Sequence, residues 1–167
     1  MTSLETELSA GEQLIWQLIE SIPDPEIPVL SIVDLGIIRG VSLEQHHDLQ
    51  KAIITITPTY TGCPAMDMIG MQIKTLLVAE GFELVEIQQT LSPAWTTDMM
   101  SENGKEQLRI YGIAPPDNRF KIPQDGVTCP QCQSSNTRVL SEFGSTACKA
   151  LYQCNDCKEP FDYFKCH

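Results

Sequence analysis

The sequence predicts an α/β (α+β) fold: a small mixed sheet with two to three helices in the order α-β-β-α-β-α, then a short metal-stapled ribbon. Three observations predict it. Apolar residues recur at helical spacing in some segments and in strand-like patterns in others as far as about residue 111. One helical segment lies between two strand segments, which makes a parallel crossover the natural connection. Two Cys-x-x-Cys pairs, Cys129-Pro130-Gln131-Cys132 and Cys154-Asn155-Asp156-Cys157, stand near the C-terminus. Their separation of roughly 20 residues is that of a four-thiolate metal site.

Each element has its own signal. Ser9 with Glu12 three residues later forms a capping box. Leu14, Ile15, Leu18, Ile19 and Ile22 then follow at helical spacing, and Trp16 reads as core. Pro23 ends this helix, and Pro23, Pro25 and Pro28 predict extended chain over residues 22–28. Residues 37–43 and 51–57 predict two strands of a hairpin, with residues 44–50 as its polar connection. His46 and His47 fall in that connection and read as solvated. Residues 65–80 predict a second helix, with Met66, Ile69, Ile73, Leu76 and Leu77 on one face and Gly81 as its stop. Met66, Met68 and Met71 read as core filler. Over residues 83–91, Val85, Ile87, Gln89 and Leu91 alternate with Glu86, Gln88 and Thr90, the pattern of a half-buried strand. Residues 101–111 predict a third helix, with Gly104 against it. Pro115, Pro116, Pro123 and Gly126 mark residues 114–128 as a linker between a domain at 1–113 and a ribbon at 129–167.

Composition narrows the function classes. Hydrophobic residues make up 42 % of the 167, enough for a core, and no run of about 18 apolar residues would span a membrane. Residues 1–10 are acidic and lack a basic-then-apolar segment, so no secretory signal is expected. The seven cysteines then predict a reducing cytoplasm, with metal ligands or working thiols in place of disulfides. Net charge is -11. Residues 1–126 carry seven Lys and Arg against 18 Asp and Glu, and residues 127–167 carry four of each. Phosphate binding needs a basic footprint, so the sequence argues against nucleic acid and for a protein partner with a basic face.

The two cysteine pairs suit Zn²⁺, which takes about four soft ligands at tetrahedral angles. The other readings of Cys129, Cys132, Cys154 and Cys157 are two disulfides or free thiols. A closed thiolate shell leaves no position for water, so this ion folds the tail and does no chemistry. Cys63 is a different case. Thr61-Gly62-Cys63-Pro64 joins a strand end to a helix start, with Pro64 expected at the first helical position. Unpaired amides and the positive end of the helix dipole favour a thiolate there. Asp67, one turn on, works in the opposite direction. Gly62 would let a backbone or ligand approach. The alternative for Cys63 is an inert buried thiol. Asp24-Pro25-Glu26 and Asp34-Leu35-Gly36 read either as turn chemistry or as an acidic lip beside Cys63.

Asp24-Pro25-Glu26-Ile27-Pro28, Asp34-Leu35-Gly36, Thr61-Gly62-Cys63-Pro64 and Ser92-Pro93-Ala94-Trp95, in that order, resemble the iron–sulfur cluster assembly family that includes SufT-type proteins. The tail from Ser141-Glu142-Phe143-Gly144 through Ala147-Cys148-Lys149 to Glu159-Pro160-Phe161-Asp162-Tyr163 is similar to the phenylacetate-degradation branch of that family. The resemblance implies a non-catalytic, cytoplasmic maturation factor for a multicomponent phenylacetyl-CoA epoxidase. That system pairs a di-iron oxygenase with a flavin reductase carrying an iron–sulfur cluster, and the reductase is the first expected partner. It also implies that Cys63 handles iron or a transient cluster, with Asp24, Glu26, Asp34, Thr61 and Gly62 in support. One thiolate cannot hold a cluster, which usually takes about four cysteines. A second copy of the chain, a partner, or the pair Cys148 and Cys166 must then contribute, and His167 could join them. The competing expectation is a docking subunit of the same system whose only metal is zinc. A thiol enzyme ranks lower, because no base or resolving cysteine lies near Cys63 in sequence.

Overall fold

The computed structural model describes residues 8–117 and 122–165. Helix α1 (Ala10–Glu20) begins at Ser9 with both halves of the capping box in place. The Glu12 carboxylate accepts from Ser9 N–H at 2.8 Å and also from Leu43 N–H at 3.2 Å, so the cap ties the helix to the first strand. Ile15 and Ile19 are fully buried, but Leu14 is 45 % exposed and falls outside the core stripe expected from the spacing. Ser21 caps the C-terminal end.

Residues 22–28 are not extended as the prolines suggested. Asp24 Oδ1 accepts from Glu26 N–H at 2.9 Å and Ile27 N–H at 2.7 Å, and the chain doubles back. Pro23 and Ser31 then form an antiparallel bridge, closed by Asp24 N–H to Leu30 O and Ile32 N–H to Ile22 O. A carboxylate offering two bonds to local amides outweighs the extended preference of the residues before each proline.

Strands β1 (Ile38–His46) and β2 (Leu49–Ile56) form an antiparallel hairpin. Its connection is shorter than the sequence implied. Glu44 faces Lys51 and Gln45 faces Gln50, so most of the polar stretch is paired strand and only His47 and Asp48 turn. His47 takes a φ of 55°. Cross-strand pairing of opposite charges accommodates polar residues in a strand. Helix α2 (Ala65–Ala79) crosses over to β3 (Leu84–Gln89), which pairs with β2 in parallel, giving sheet order β1-β2-β3. Leu91 is not part of β3 and is 59 % exposed.

Helix α3 (Glu102–Tyr111) forms in spite of Gly104, and the reason is a close approach. A Cβ at Gly104 would lie 3.0 Å from Asp34 O. Ser101, the N-cap, accepts from Gly104 N–H at 2.8 Å and donates to Asp34 Oδ1, and Asn103 donates to Asp34 Oδ2 at 3.0 Å. Asp34 therefore anchors α3. Gly36 has φ 76°, and a Cβ there would sit 2.0 Å from Met99 O. The buried Trp95 indole donates to Leu35 O at 3.0 Å. Asp34-Leu35-Gly36 and the segment around Trp95 are thus one packed unit.

The segment read as a linker begins inside the second sheet. β4 (Ile113–Ala114) leaves α3 directly and pairs in parallel with β7 (Pro160–Phe164). β6 (Lys149–Cys154) and β5 (Thr137–Ser141) complete the order β4-β7-β6-β5. Tyr152, Phe161 and Tyr163 fill a small core, with Tyr152 OH donating to Pro123 O at 2.8 Å. Phe164 and Cys148 belong instead to the core of the first domain, where Phe164 meets Trp95 edge-on at 6.0 Å.

Gly36→Ala should lower stability by at least about 2 kcal/mol, since the new methyl meets a backbone carbonyl at a positive φ. Gly40→Ala, with nothing within 4 Å, should change stability by less than about 0.5 kcal/mol. Urea unfolding of both variants checks the pair.

Candidate functional site

Two sites emerge. The first is the ribbon's sulfur cluster. Cys129, Cys132, Cys154 and Cys157 place their sulfurs within 4.8 Å of one another. Cys129–Cys157 is 3.8 Å and Cys132–Cys154 is 3.5 Å. A tetrahedron with metal–sulfur bonds of about 2.3 Å has edges of about 3.8 Å, so the four sulfurs fit one thiophilic ion. The two knuckles repeat one backbone design. The residue after each pair, Gln133 and Lys158, takes a positive φ of 64° and 68°. That twist turns the next amides inward, and the N–H groups of Ser134 and Glu159 reach the sulfurs of Cys132 and Cys157. Amides of Cys157 and Asp156 draw the Cys154 thiol down to about 7. Asp156 accepts from Ser134 Oγ and from Asn136 Nδ2, the latter at 2.8 Å, joining the knuckles.

The second site is built where β2 gives way to α2. Thr57 is buried, with its N–H on Ile37 O and its hydroxyl on Thr90 O, both at 2.8 Å. Beyond it, Cys63 N–H closes a four-residue turn on Tyr60 O at 3.2 Å. Gly62, φ 79°, holds the third place of that turn, where a type II geometry requires positive φ. A Cβ added at Gly62 would meet nothing within 4 Å, so conformation and not close approach explains the glycine. Pro64 is the cap of α2, one place earlier than expected, and offers no side-chain bond.

Cys63 is half-buried. Its sulfur receives Ala65 N–H and the Tyr60 hydroxyl. The balance of groups around Cys63 runs against the thiolate expected at a helix start. Burial pushes the Cys63 thiol above its ordinary value, the Glu26 and Asp24 carboxylates add to that, and together they outweigh the amide and the hydroxyl.

A small cavity, about 10 Å³ or roughly one water, lies beside Cys63. Asp24, Glu26, Cys63 and Cys148 supply its polar wall, and Ile37 and Phe164 part of its apolar wall. Two segments that the sequence could not join, 24–26 and 61–64, therefore meet. Glu26 is half-buried. Cys148 arrives from the ribbon, 4 % exposed. Its sulfur lies 3.6 Å from Glu26 Oε2 and 3.0 Å from Thr146 Oγ1. Burial, with Glu26 adding to it, pushes this thiol up to about 11. Asp24 is also raised, chiefly by burial, and its oxygen is committed to its own loop.

Other candidates fall elsewhere. Asp34 holds α3, and Thr61 points to solvent at the turn. The expected pairing of Cys148 with Cys166 involves a residue outside those described, as is His167. Cys148 itself lines the cavity beside Cys63. Sequence reasoning missed Thr59 and Phe164 as lining residues, and no local pattern marks either. Met68 and Met71 are not core filler: they are 54 % and 70 % exposed, while Met66 is buried. They form an apolar strip on α2 with Pro64 and Leu76.

Residues 12–88 match the family described as iron–sulfur cluster assembly protein, and residues 114–165 match the PaaD zinc beta ribbon domain. The chain belongs to the iron–sulfur cluster assembly family, in the branch that carries a PaaD zinc ribbon. It is 49 % identical over 155 residues, 91 % of each chain, to an Escherichia coli (strain K12) protein named "Putative 1,2-phenylacetyl-CoA epoxidase" and designated one of its subunits. A Porphyromonas gingivalis (strain W83) protein named Fe-S protein maturation auxiliary factor is 32 % identical over 108 residues, 63 % of this chain and 97 % of that one. A Bacillus anthracis structure, a domain of unknown function termed DUF59, aligns with TM-score 0.53 and 30 % identity over 59 % of this chain and 92 % of that one. Among the described residues, no helix is long and apolar enough to cross a membrane.

The raised thiol makes Cys63 a slow nucleophile at neutral pH. Its alkylation by iodoacetamide should climb about tenfold per pH unit through pH 9 without levelling. Glu26→Gln should shift that profile to lower pH by removing a neighbouring charge. A plateau below pH 8 in the wild type would contradict the burial argument.

Proposed function

We propose that this chain is a non-catalytic maturation factor for a multicomponent phenylacetyl-CoA epoxidase of the cytoplasm. It assists the insertion of iron or an iron–sulfur species into the reductase, or into the oxygenase, through Cys63. The observation that carries this reading is Cys63 itself: a partly exposed thiol in an acidic cavity, where an iron–sulfur assembly domain meets a ribbon of the PaaD type. The relatives' names supply the pathway. Asp24 and Glu26 line the site, Gly62 shapes the turn that carries Cys63 while Thr61 faces solvent on that turn, and Asp34 supports it from a distance by seating α3. Residues 1–113 act as the assembly unit, 114–128 as connector and 129–167 as ribbon.

The ribbon holds one structural Zn²⁺ at Cys129, Cys132, Cys154 and Cys157. Four thiolates close its shell and leave no place for a reacting water. Purified protein should contain one zinc per chain. Cys154→Ser should lose it and become protease-sensitive across 122–165, while α1 to β3 stay protected. Retention of zinc with an intact ribbon would refute the assignment.

The exposed strip of Met68 and Met71 favours a second reading, a docking subunit that holds the oxygenase components together. Reconstitution separates the two. Reductase made without this chain should have lower iron and sulfide content, and Cys63→Ala should not restore it. Equal content with and without the chain would end the maturation reading. Fully loaded components that still need the chain for turnover would favour docking.

A further inference from the structure

We propose that Cys63, Cys148 and Glu26 form a second metal site, at the seam between domain and ribbon, that takes a single borderline-soft divalent cation such as Fe²⁺. This rests on the reading of Cys63 as the working thiol and names its cargo and its remaining ligands.

Three side chains distant in sequence line one cavity. Glu26 comes from the folded-back loop after α1, Cys63 from the turn before α2, and Cys148 from the residue before β6. Packing alone does not account for Cys148. A buried alanine or valine would fill the seam without setting a thiol 3.6 Å from a carboxylate. Glu26 presses negative charge on both sulfurs and Asp24 on that of Cys63; of the two ammonium groups that act on Cys148, Lys149 also pairs with Asp162 at 3.6 Å and Lys165 donates to Glu142 O. Two thiolates and one carboxylate would carry a charge of about -3, which a divalent ion offsets and protons otherwise must.

The donor set selects the ion. Thiolates choose iron, zinc or cobalt over Mg²⁺ and Ca²⁺, which take oxygen. Three donors, two of them thiols, suit a single ion, since cluster ligation usually takes about four cysteines. Among the described residues, only the four ribbon cysteines have all their donor atoms within 4.8 Å of one another. The seam site must therefore close on its ion, which makes it the weaker of the two and suits a cargo that has to leave.

Anaerobic titration of zinc-loaded protein with Co²⁺ tests the assignment, because cobalt–thiolate charge transfer absorbs in the near ultraviolet and zinc–thiolate shows no visible bands. Wild type should take one cobalt beyond the ribbon's zinc, with charge-transfer and d–d absorption. Cys63→Ser and Cys148→Ser should each lose that equivalent. Glu26→Gln should weaken it while keeping the charge-transfer band, since both sulfurs remain. Fe²⁺ should compete for the site, and Mg²⁺ should not. No second equivalent in wild type, or an unchanged one in Cys63→Ser, overturns the proposal. Cys63 lies at the half-exposed end of the seam, so its variant tests the site even if Cys148→Ser fails to fold. The titration needs no epoxidase component. A reductase that matures without this chain would end the maturation role and leave the cobalt result standing.

Discussion

The ring of Phe164 is the contact on which the architecture depends. It ends the ribbon's last inner strand, yet it is buried in the first domain's core against Trp95. Burying one such ring is worth about 2 kcal/mol. The larger effect is positional. Trp95 is fixed by its bond to Leu35 O, beside Gly36 on Met99 and Asp34 on the start of α3. Through Phe164, the ribbon joins that unit and lowers Cys148 into the cavity beside Cys63. The ring and the pairing of β4 with β7 act together to keep the ribbon against the first domain.

Charge then decides what the cavity can be. A helix start would ordinarily lower a thiol's pKa, but here burial and two carboxylates win over one amide and one hydroxyl. The outcome is a thiol held above its ordinary pKa. That differs from a redox or hydrolytic cysteine, which needs its thiolate ready beforehand.

The sequence revealed those parts of the fold that depend on local chemistry. The capping box at Ser9 and Glu12, the stop at Gly81, the parallel crossover through α2 and the paired cysteine knuckles all follow from residues close together in the chain. It misled where a side chain competes with backbone preference or where a distant surface decides. Prolines suggested extension at 22–28, but Asp24 drew the loop closed. Gly104 counted against α3, but Asp34, far away in sequence, requires a residue without a Cβ. Met68 and Met71 carried the composition of a core and lie on the outside. At the candidate site, Cys63 stood out from its turn, and Asp24 and Glu26 from their prolines. Cys148 was named as a candidate second thiol, but its place beside Glu26 was illegible, because it depends on contacts between residues distant in sequence, β4 with β7 and Phe164 with Trp95.

One strand links the two ends of the ribbon. β6 begins beside Cys148 at the seam and finishes at Cys154 in the sulfur cluster, six residues forming a single rigid rod. The left-handed turns at Gln133 and Lys158 are conformations that side-chain-bearing residues seldom adopt, and a bound ion would add to what favours them. On the proposed zinc assignment, an ion at the knuckles steadies the far end of the strand that starts beside Cys148, so occupancy of the tail and readiness of the seam are linked through β6.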